Sequence, residues 1–239
     1  NNGVRFFIKR NGANAGVIGE GEMFQLTVYD ESFNTPDFVK GGMYYQIFPD
    51  RFYNSNTPKE NVPQDRAIRN TWGETPYYRP DSNGRIWNND YFGGDLKGIM
   101  QKLDYIKSLG VTCIYLNPIF EAHENHRYNT ADYMKVDPLL GTNEDFKQLC
   151  EKAKQMGISI ILDGVFNHTG ADSRYFNKNN RYDSVGAYNS KNSEYYNWYS
   201  FINYPDVYEA WWGIDTLPNV NEDTKNYSDF ICGDEGVLR

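Results

Sequence analysis

Two copies of one pattern constrain the fold of this chain more than any other feature of its 239 residues. Each copy is an amphipathic helix, a glycine and a short strand-like run. In the first, apolar side chains recur at helical spacing over 96–109 and the strand-like run is 111–116; in the second, these segments are 146–156 and 158–163. Runs with so little alternation are typical of strands covered on both faces. The alternation of helix and buried strand therefore predicts βα units and a parallel sheet.

An earlier run, residues 43–48, fits as the strand that opens this series. Thr142 with Asp145 has the spacing of a capping box ahead of the second helix, with Asp in place of the usual Glu. A doubly wound sheet would carry a glycine-rich phosphate fingerprint after its first strand, and residues 48–52 are not one. We therefore expect an α/β fold in the form of a partial (β/α)8 TIM barrel, comprising its first three βα units.

Three segments fall outside the βα pattern and set the predicted domain boundaries. Residues 1–34 hold two β-like runs, 4–9 and 23–29, joined by a glycine-rich turn, as in the last hairpin of a preceding β domain. Residues 53–92 are a polar excursion, and residues 169–221 are an Asn-, Tyr- and Ser-rich stretch too long for a structureless loop. The expected division is the hairpin at 1–34, three barrel strands at 35–168, an inserted subdomain at 169–221, and a return into the barrel with the third helix at 222–239.

Charge and composition narrow the partners. The chain has 24 Lys and Arg against 32 Asp and Glu, a net charge of −8, which repels a phosphate backbone and argues against nucleic acid. The longest apolar runs are strand-sized, so no membrane partner is expected, and no charged-then-apolar leader stands at Asn1. Three cysteines favour free thiols over a disulfide scaffold. Aromatic residues reach 16% and lie largely in polar, Asn-rich segments, which suits sugar binding or a Tyr-rich loop region without a ligand.

Chemistry-bearing residues cluster in two loops that follow strands. All three histidines of the chain, His123, His126 and His168, lie there, and ligands of parallel α/β folds meet the carboxyl ends of strands. Three interpretations remain open: a metal site of the three histidines, hydrogen-bond donors at His126 and His168 beside a stacking Tyr128, or ordinary polar loops. Asp163 ends a buried strand and must be paired or hydrogen-bonded, either in an active-site network or as a strand-end cap.

These motifs identify a resemblance to the α-amylase family of glycoside hydrolases. Residues 163–168 resemble the third-strand signature of that family, 110–118 its second-strand signature, 126–133 the loop that follows, and 217–221 a short motif near the end of its inserted B domain. Four further motifs resemble the branch of neopullulanase, cyclomaltodextrinase and maltogenic amylase: residues 45–52, 72–74, 92–96 and 117–122. Proteins of this branch carry an N-terminal β-sandwich before the barrel, which suits residues 1–34.

The resemblance implies retaining hydrolysis of α-glucosidic bonds in starch, pullulan or cyclodextrin-type glucans. Position by position, Tyr128 would stack on the sugar ring, and His126 and His168 would hydrogen-bond its hydroxyls. Asp163 would pair with an Arg of the nucleophile strand, and Asn167 would tie the B domain to the barrel. Seven aromatic residues of the insertion could supply outer sugar platforms or the core of that subdomain: Tyr182, Tyr188, Tyr195, Tyr196, Trp198, Trp211 and Trp212.

The nucleophile, the acid/base and the third carboxylate of the family lie on its fourth, fifth and seventh strands, beyond Arg239. We therefore expect these 239 residues alone not to hydrolyse glucan. A transglycosidase or isomerase of the same fold and a non-catalytic glucan-binding protein are the alternatives. An α-glucan is the expected ligand, and the expected protein partner is the C-terminal remainder of the same protein or a second copy.

Calcium is the one cofactor that the resemblance implies. In the neopullulanase branch it binds near the barrel entrance, and Asn54, Asn56, Gly93 and Asp95 match that pattern. Lys59 and Glu60 stand where the branch often has Asn-Asp, so the site is weakened or lost, and a polar loop without metal is the alternative. At the other calcium site of the family, between barrel and B domain, Asn219 replaces an Asp and removes a hard anionic ligand.

Overall fold

A computed structural model describes residues 7–13 and 15–239. The chain divides into two compact units, with the boundary between Asp37 and Phe38. No helix within the described ranges has the length and apolar character needed to cross a membrane.

The described residues of the first unit form a hairpin that is shorter than the predicted one and has a different second strand. Strand β1 (Ile8–Asn11) begins inside the predicted run 4–9 and pairs antiparallel with β2 (Ala15–Ile18), which lies in the segment predicted to be a turn. The first three residues of the predicted strand 4–9 lie outside the described residues. The predicted strand 23–29 is wrong: a strand needs a hydrogen-bonded partner, and within the described residues the pairing stops at a bridge between Arg10 and Glu22.

The second unit holds the remaining elements. Its strands are β3 (Tyr44–Ile47), β4 (Ala67–Ile68), β5 (Asp90–Tyr91), β6 (Cys113–Leu116), β7 (Phe120–Ala122), β8 (Thr130–Val136), β9 (Ser159–Leu162), β10 (Phe201–Asn203) and β11 (Val207–Tyr208). Its α-helices are α1 (Leu96–Gln101), α2 (Leu103–Ser108), α3 (Asn143–Gln155) and α4 (Lys225–Cys232). Three short 3-10 helices cover Pro49–Arg51, Tyr196–Trp198 and Trp211–Gly213.

The three predicted strands form one parallel sheet in the order β3–β6–β9. The predicted capping box of Thr142 and Asp145 is present at the start of α3. Gly110 and Gly157 follow their helices with φ of +82° and +68°, a conformation that glycine adopts without strain. The parallel α/β sheet is therefore confirmed, whereas closure into a barrel and the boundaries of the inserted subdomain stay predictions.

The helix predicted over 96–109 is two short helices, α1 and α2, separated by Lys102. The Lys102 N–H bonds to the carbonyl of Ile99, only three residues back, which tightens the turn and ends α1. The apolar stripe continues across the break, because Ile99, Leu103 and Ile106 are all buried. The interruption thus leaves the same face of the segment buried.

Two hydrophobic cores stabilise the second unit. The aliphatic core lies between the parallel sheet and its helices and is built around these buried residues: Ile47, Leu96, Ile99, Leu103, Ile106, Val111, Ile114, Leu116, Ile119, Val136, Leu140, Leu149, Ala153 and Ile158. The aromatic core lies largely in the 169–221 segment and contains Tyr133, Ala171, Tyr175, Phe176, Ala187, Trp198, Tyr199, Tyr208, Val220, Tyr227 and Ile231. The long Asn- and Tyr-rich segment is therefore folded around its own rings.

Candidate active site

The site is built at the carboxyl edge of the parallel sheet. The strands end level there: the Asn117 N–H bonds to the Ile47 carbonyl at 3.0 Å, and the Asp163 N–H bonds to the Leu116 carbonyl at 3.0 Å. Asn117 and Asp163 are the first residues beyond β6 and β9. Strand register therefore brings their side chains to the same edge, as expected for ligand sites of parallel α/β folds.

A chain of hydrogen bonds crosses this edge. Gln46 Nε2 donates to Asn117 Oδ1 at 3.0 Å, Asn117 Nδ2 donates to Tyr128 Oη at 3.1 Å, and Tyr128 Oη donates to Asp163 Oδ2 at 2.9 Å. Burial, together with the hydrogen bond and charge of Asp163, raises the pKa of Tyr128 to about 12. The phenol is therefore neutral at neutral pH. Its hydroxyl is held through these hydrogen bonds by residues in or directly after all three strands of the sheet.

A strained backbone turn sets the position of Tyr128 and His126. Arg127 between them has a φ of +60°, which a residue with a side chain rarely adopts and which costs roughly 1–3 kcal/mol. Its guanidinium is fully buried, with Nη2 3.2 Å from Asp137 Oδ1, and Arg66 Nη1 lies 2.9 Å from Asp137 Oδ2. The ion trio holds the Arg127 side chain inside the protein, so its two neighbours face the cavity.

The two guanidinium groups stabilise the ionised form of the Asp137 carboxyl. Burial alone would raise the pKa of Asp137, but the charges of Arg127 and Arg66 outweigh burial, and the pKa lies below its ordinary value. Sequence reasoning missed this trio, because its members are far apart in the chain and belong to no motif.

Both ring nitrogens of His126 are engaged. Its Nδ1 accepts the Tyr128 N–H at 3.0 Å, so Nε2 carries the proton and donates to Glu124 Oε2 at 2.6 Å. Asn88 Nδ2 donates to the same oxygen at 3.2 Å. Burial would raise the pKa of Glu124, but the hydrogen bonds from His126 and Asn88 and the neighbouring positive charge together outweigh it, and the pKa is lowered. Glu124 is a second residue that the sequence did not single out, although it stands two positions before His126.

His168 supports the same loop from the opposite side. Its Nε2 lies 3.0 Å from the Tyr128 carbonyl, and since a carbonyl can only accept, Nε2 carries the proton. Burial lowers the pKa of His168, and its Nδ1 has no hydrogen-bond partner within 7–13 and 15–239. The indole of Trp211 covers the imidazole, with ring centroids 5.4 Å apart and planes tilted by 32°. His168 is thus a neutral ring held between a backbone carbonyl and an aromatic face.

His123 does not join the other two histidines. Its ring packs against Tyr182 at 6.1 Å, and its Nε2 lies 3.4 Å from the Tyr182 hydroxyl. Within the described ranges, no group of three or more His, Cys, Asp or Glu side chains could hold a metal ion. The three-histidine metal interpretation is therefore wrong, because His123 follows β7 and faces the inserted segment rather than the sheet edge.

A cavity of about 780 Å³ opens above the sheet edge. The predicted site residues His126, Tyr128, Asp163, His168 and Asn167 all line it. It is completed by Arg85, Ile86, Asn88, Glu124, Gly164, Val165, Trp211, Ile214, Thr216 and Leu217. The volume suits a small ligand, and the lining combines aromatic and aliphatic faces with convergent polar groups.

Asn167 lies where the inserted segment leaves and rejoins the sheet. Its carbonyl accepts the Val220 N–H at 3.0 Å, and the Thr169 N–H bonds to the Pro218 carbonyl at 3.2 Å. The two ends of the 169–221 segment are therefore fastened to each other by backbone pairing at the cavity wall.

The predicted calcium ligands are engaged by neighbouring groups. Asp95 Oδ1 accepts the Gly98 N–H at 2.6 Å as the N-cap of α1, and Oδ2 accepts from Ser55 Oγ at 2.7 Å. The Nζ of Lys59 pairs with that same Oδ2. An ammonium group therefore stands at the carboxylate that a cation would need.

The two asparagines of the set do not complete a metal cradle. Asn54 Oδ1 accepts the Asn56 N–H at 2.8 Å, and a Cβ at Gly93 would lie 2.9 Å from Asn54 Nδ2, so an amide nitrogen faces the glycine. Calcium prefers six to eight oxygen ligands. The residues as arranged do not fit a calcium ion.

The match with known proteins defines the class. Residues 46–229 match the family described as alpha amylase, catalytic domain, and the chain belongs to the alpha-amylase family. It is 46% identical over 242 residues to an amylopullulanase of Thermoanaerobacterium saccharolyticum, a match that covers 90% of this chain and 19% of that protein. It is 40% identical to a maltogenic alpha-amylase of Bacillus acidopullulyticus, covering 77% of this chain and 28% of that protein.

Solved structures support the same family assignment. The cyclic alpha-maltosyl-(1→6)-maltose hydrolase of Arthrobacter globiformis, in complex with cyclic alpha-maltosyl-(1→6)-maltose, superposes with a TM-score of 0.66 at 36% identity, covering 82% of this chain and 40% of that one. The type III pullulan hydrolase of Thermococcus kodakarensis gives a TM-score of 0.64 at 30% identity, covering 90% of this chain and 40% of that one. The resemblance drawn from the motifs is confirmed. The chain spans 13–19% of the length of three amylopullulanases that it matches.

Proposed function

We propose that this chain forms the sugar-binding side of the active site of an α-glucan hydrolase. The observation that carries the proposal is the hydrogen-bonded chain from Gln46 to Asp163, which fixes the ring of Tyr128 at the wall of the cavity. A fixed aromatic face beside convergent polar groups is what a pyranose ring requires. Relatives named for amylose, pullulan and maltose chemistry support an α-glucan as the ligand.

Each site residue has a distinct role in this proposal. Tyr128 stacks on the sugar, and Asp163 positions Tyr128 by accepting its hydroxyl proton in a hydrogen bond. His126 and His168 border the sugar hydroxyls, but not as the free N–H donors predicted from the sequence, because their Nε2–H groups are already donated to Glu124 and to the Tyr128 carbonyl. A sugar hydroxyl at this wall can instead donate to the Glu124 carboxylate or to Nδ1 of His168, which is unpartnered among the described residues. Asn167 joins the inserted segment to the sheet at this wall.

Cleavage in the proposed mechanism proceeds with retention. It needs two carboxyl groups about 5–5.5 Å apart, one as nucleophile and one as acid and then base. The resemblance assigns these groups to later strands of the barrel, so we propose that the whole protein hydrolyses glucan and that these 239 residues bind without cleaving. A non-catalytic glucan-binding protein is the second candidate, supported by a binding wall that is complete without those carboxylates.

Isothermal titration calorimetry with maltotriose tests binding, and cellotriose is the matched ligand because it has the same composition with β-linkages. Maltotriose should bind and cellotriose should not. Tyr128→Ala should weaken maltotriose binding about tenfold or more, since tenfold corresponds to about 1.4 kcal/mol. Tyr105→Ala, which removes an exposed ring from α2, is the control. Equal binding of both trisaccharides would contradict the proposal.

A chromogenic maltoside tests whether the isolated chain binds glucan without cleaving it. The isolated chain should release no chromophore under conditions in which it binds maltotriose. Measurable turnover by the isolated chain would show that the catalytic carboxylates are among these 239 residues and would overturn that part of the proposal.

A further inference from the structure

Several aromatic side chains of the inserted segment lie in the aromatic core or line the cavity, whereas that of Trp212 is largely exposed. Trp198 is buried in the aromatic core, and Tyr188 and Tyr195 pack against it. Trp211 lines the cavity. Trp212, by contrast, is 86% exposed, although an indole is the largest apolar side chain available for burial. Its ring therefore contributes little to folding.

The backbone at Trp212 is strained as well. Its φ of +52° and ψ of +25° lie in the left-handed region, which a residue with a bulky side chain rarely adopts. Gly213 follows with a φ of +74°. At this position a glycine or asparagine would relieve the strain, so neither backbone geometry nor burial accounts for a tryptophan. Residues held in such conformations cluster at ligand clamps.

The ring is aligned with the site. The indole of Trp212 lies parallel to that of Trp211, with centroids 4.9 Å apart and planes 10° from parallel. Trp211 in turn covers His168, which lines the cavity. The three rings form a ladder from the cavity wall to the surface, and one face of Trp212 remains open to solvent.

We propose that the open face of Trp212 binds a glucosyl unit of an α-glucan chain as that chain leaves the cavity. The inference rests on the proposed function and deepens it, because it makes the site selective for chain length. A short oligosaccharide that fills only the cavity touches Tyr128, whereas a longer one also reaches the ladder. The apolar C–H face of a pyranose matches an indole plane, and a flat exposed ring tolerates any residue of a uniform polymer.

Calorimetric titration of maltose and of maltoheptaose separates the two parts of the site. The protein should bind maltoheptaose about tenfold more tightly than maltose. Trp212→Gly should bind both sugars with the affinity of maltose, so the gain with length disappears. Trp212→Phe, which keeps a ring, should keep part of the gain, and Tyr105→Ala should leave both affinities unchanged.

Thermal unfolding of the same variants excludes a structural role. Because glycine adopts a positive φ without strain, Trp212→Gly should unfold at the same temperature as the parent or at a higher one. A lower unfolding temperature with equal loss of maltose binding would mean that Trp212 is structural and would overturn the inference. A preserved length gain in Trp212→Gly would overturn it while leaving the proposed function intact. Failure of the parent chain to bind either sugar would instead defeat the proposed function.

Discussion

The aliphatic core and the aromatic core of the second unit both bury apolar side chains, but they are built from different kinds of backbone structure. The aliphatic core is assembled mainly from regular elements, the sheet β3–β6–β9 and helices α1, α2 and α3, and its buried side chains carry no polar atom. The aromatic core is assembled mainly from turns and strands of two or three residues. Regular elements satisfy their own backbone groups through helix and sheet hydrogen bonds, whereas irregular segments must find other partners.

Tyrosine hydroxyls supply part of those partners. Tyr133 Oη lies 2.5 Å from the Val165 carbonyl, and Tyr227 Oη lies 2.5 Å from the Phe166 carbonyl. Tyr208 Oη donates to the Asp215 carbonyl at 2.6 Å. Each ring thus buries apolar area and satisfies a backbone acceptor in the same step. This explains why a polar, Tyr-rich segment without periodicity folds compactly around its own rings.

Removing the largest ring should give the largest effect and test whether the two cores unfold separately. Trp198→Ala should cost about 3–5 kcal/mol of unfolding free energy, because it leaves a cavity in a close-packed interior. Leu116→Ala, in the aliphatic core, should cost about 2–5 kcal/mol. Chemical denaturation followed by circular dichroism measures both values.

Native-state hydrogen exchange sharpens this comparison. In Trp198→Ala the Asn221 amide, which bonds to the Trp198 carbonyl, should exchange faster, while the β6 amides keep their protection. Equal loss of protection in both regions would show that the two cores form a single cooperative unit. Tyr105→Ala, at an exposed position of α2, should change neither.

The aliphatic core was readable in the sequence and the aromatic core was not. Periods of 3.6 and near-continuous apolar runs reported α3 and β9 directly, because those patterns follow from the geometry of one element. Tyr133 and Tyr175 stack across 42 positions of chain, and no local pattern records such a contact. The pairing of Tyr128 with Asp163 could be predicted in part from the sequence, since both lie in loops that follow strands of one sheet. The Arg66–Asp137–Arg127 trio could not be predicted.

The Arg66–Asp137–Arg127 trio forms a third buried region, which is stabilised by charge rather than by aliphatic or aromatic packing. Asp137→Asn should cost about 3–5 kcal/mol, because it leaves two guanidinium groups buried without their counter-ion. Asp229→Asn is the control: Asp229 pairs with Lys225 at 2.5 Å on the surface of α4, and its loss should cost less than about 0.5 kcal/mol. A cost at Asp137 no larger than at Asp229 would contradict this account.

The pH dependence has a defined sign. The pKa of Asp137 is lowered from its ordinary 3.8, so the native state keeps the carboxylate ionised at pH values where the unfolded chain is protonated. Its stabilising contribution is therefore complete above pH 3.8 and is lost as the pH falls through the lowered value. Unfolding free energies measured from pH 6 downward should fall less steeply for Asp137→Asn than for the parent.

Deleting one hydroxyl tests the polar part of the aromatic core. Tyr133→Phe keeps the ring and removes the donor to the Val165 carbonyl, so it should cost about 1–3 kcal/mol. Ile114→Val is the matched deletion of one small group in the aliphatic core and should cost about 0.5–1.5 kcal/mol. If Tyr133→Phe is neutral by denaturant unfolding, the hydroxyls do not stabilise this core.

The smallest effect concerns the loop at Asp95, where a lysine stands in place of a metal. Lys59→Met removes the ammonium and keeps most of the aliphatic stem, and it should lower the unfolding free energy by about 1 kcal/mol, because the Asp95 carboxylate keeps its hydrogen bonds from Gly98 and Ser55. Differential scanning calorimetry of the parent with and without EDTA should give the same midpoint, because the Asp95 carboxylate already has its counter-ion.

A calcium-dependent midpoint in the parent chain would contradict the assignment of that charge to Lys59. The double variant Lys59→Asn with Glu60→Asp restores the Asn-Asp pair that the related branch often has at these positions. If the side chains at 59 and 60 are what exclude calcium, this variant should gain a calcium-dependent midpoint that EDTA abolishes. Here a single ammonium fixes the loop at the start of α1, whereas the two larger cores depend on buried area.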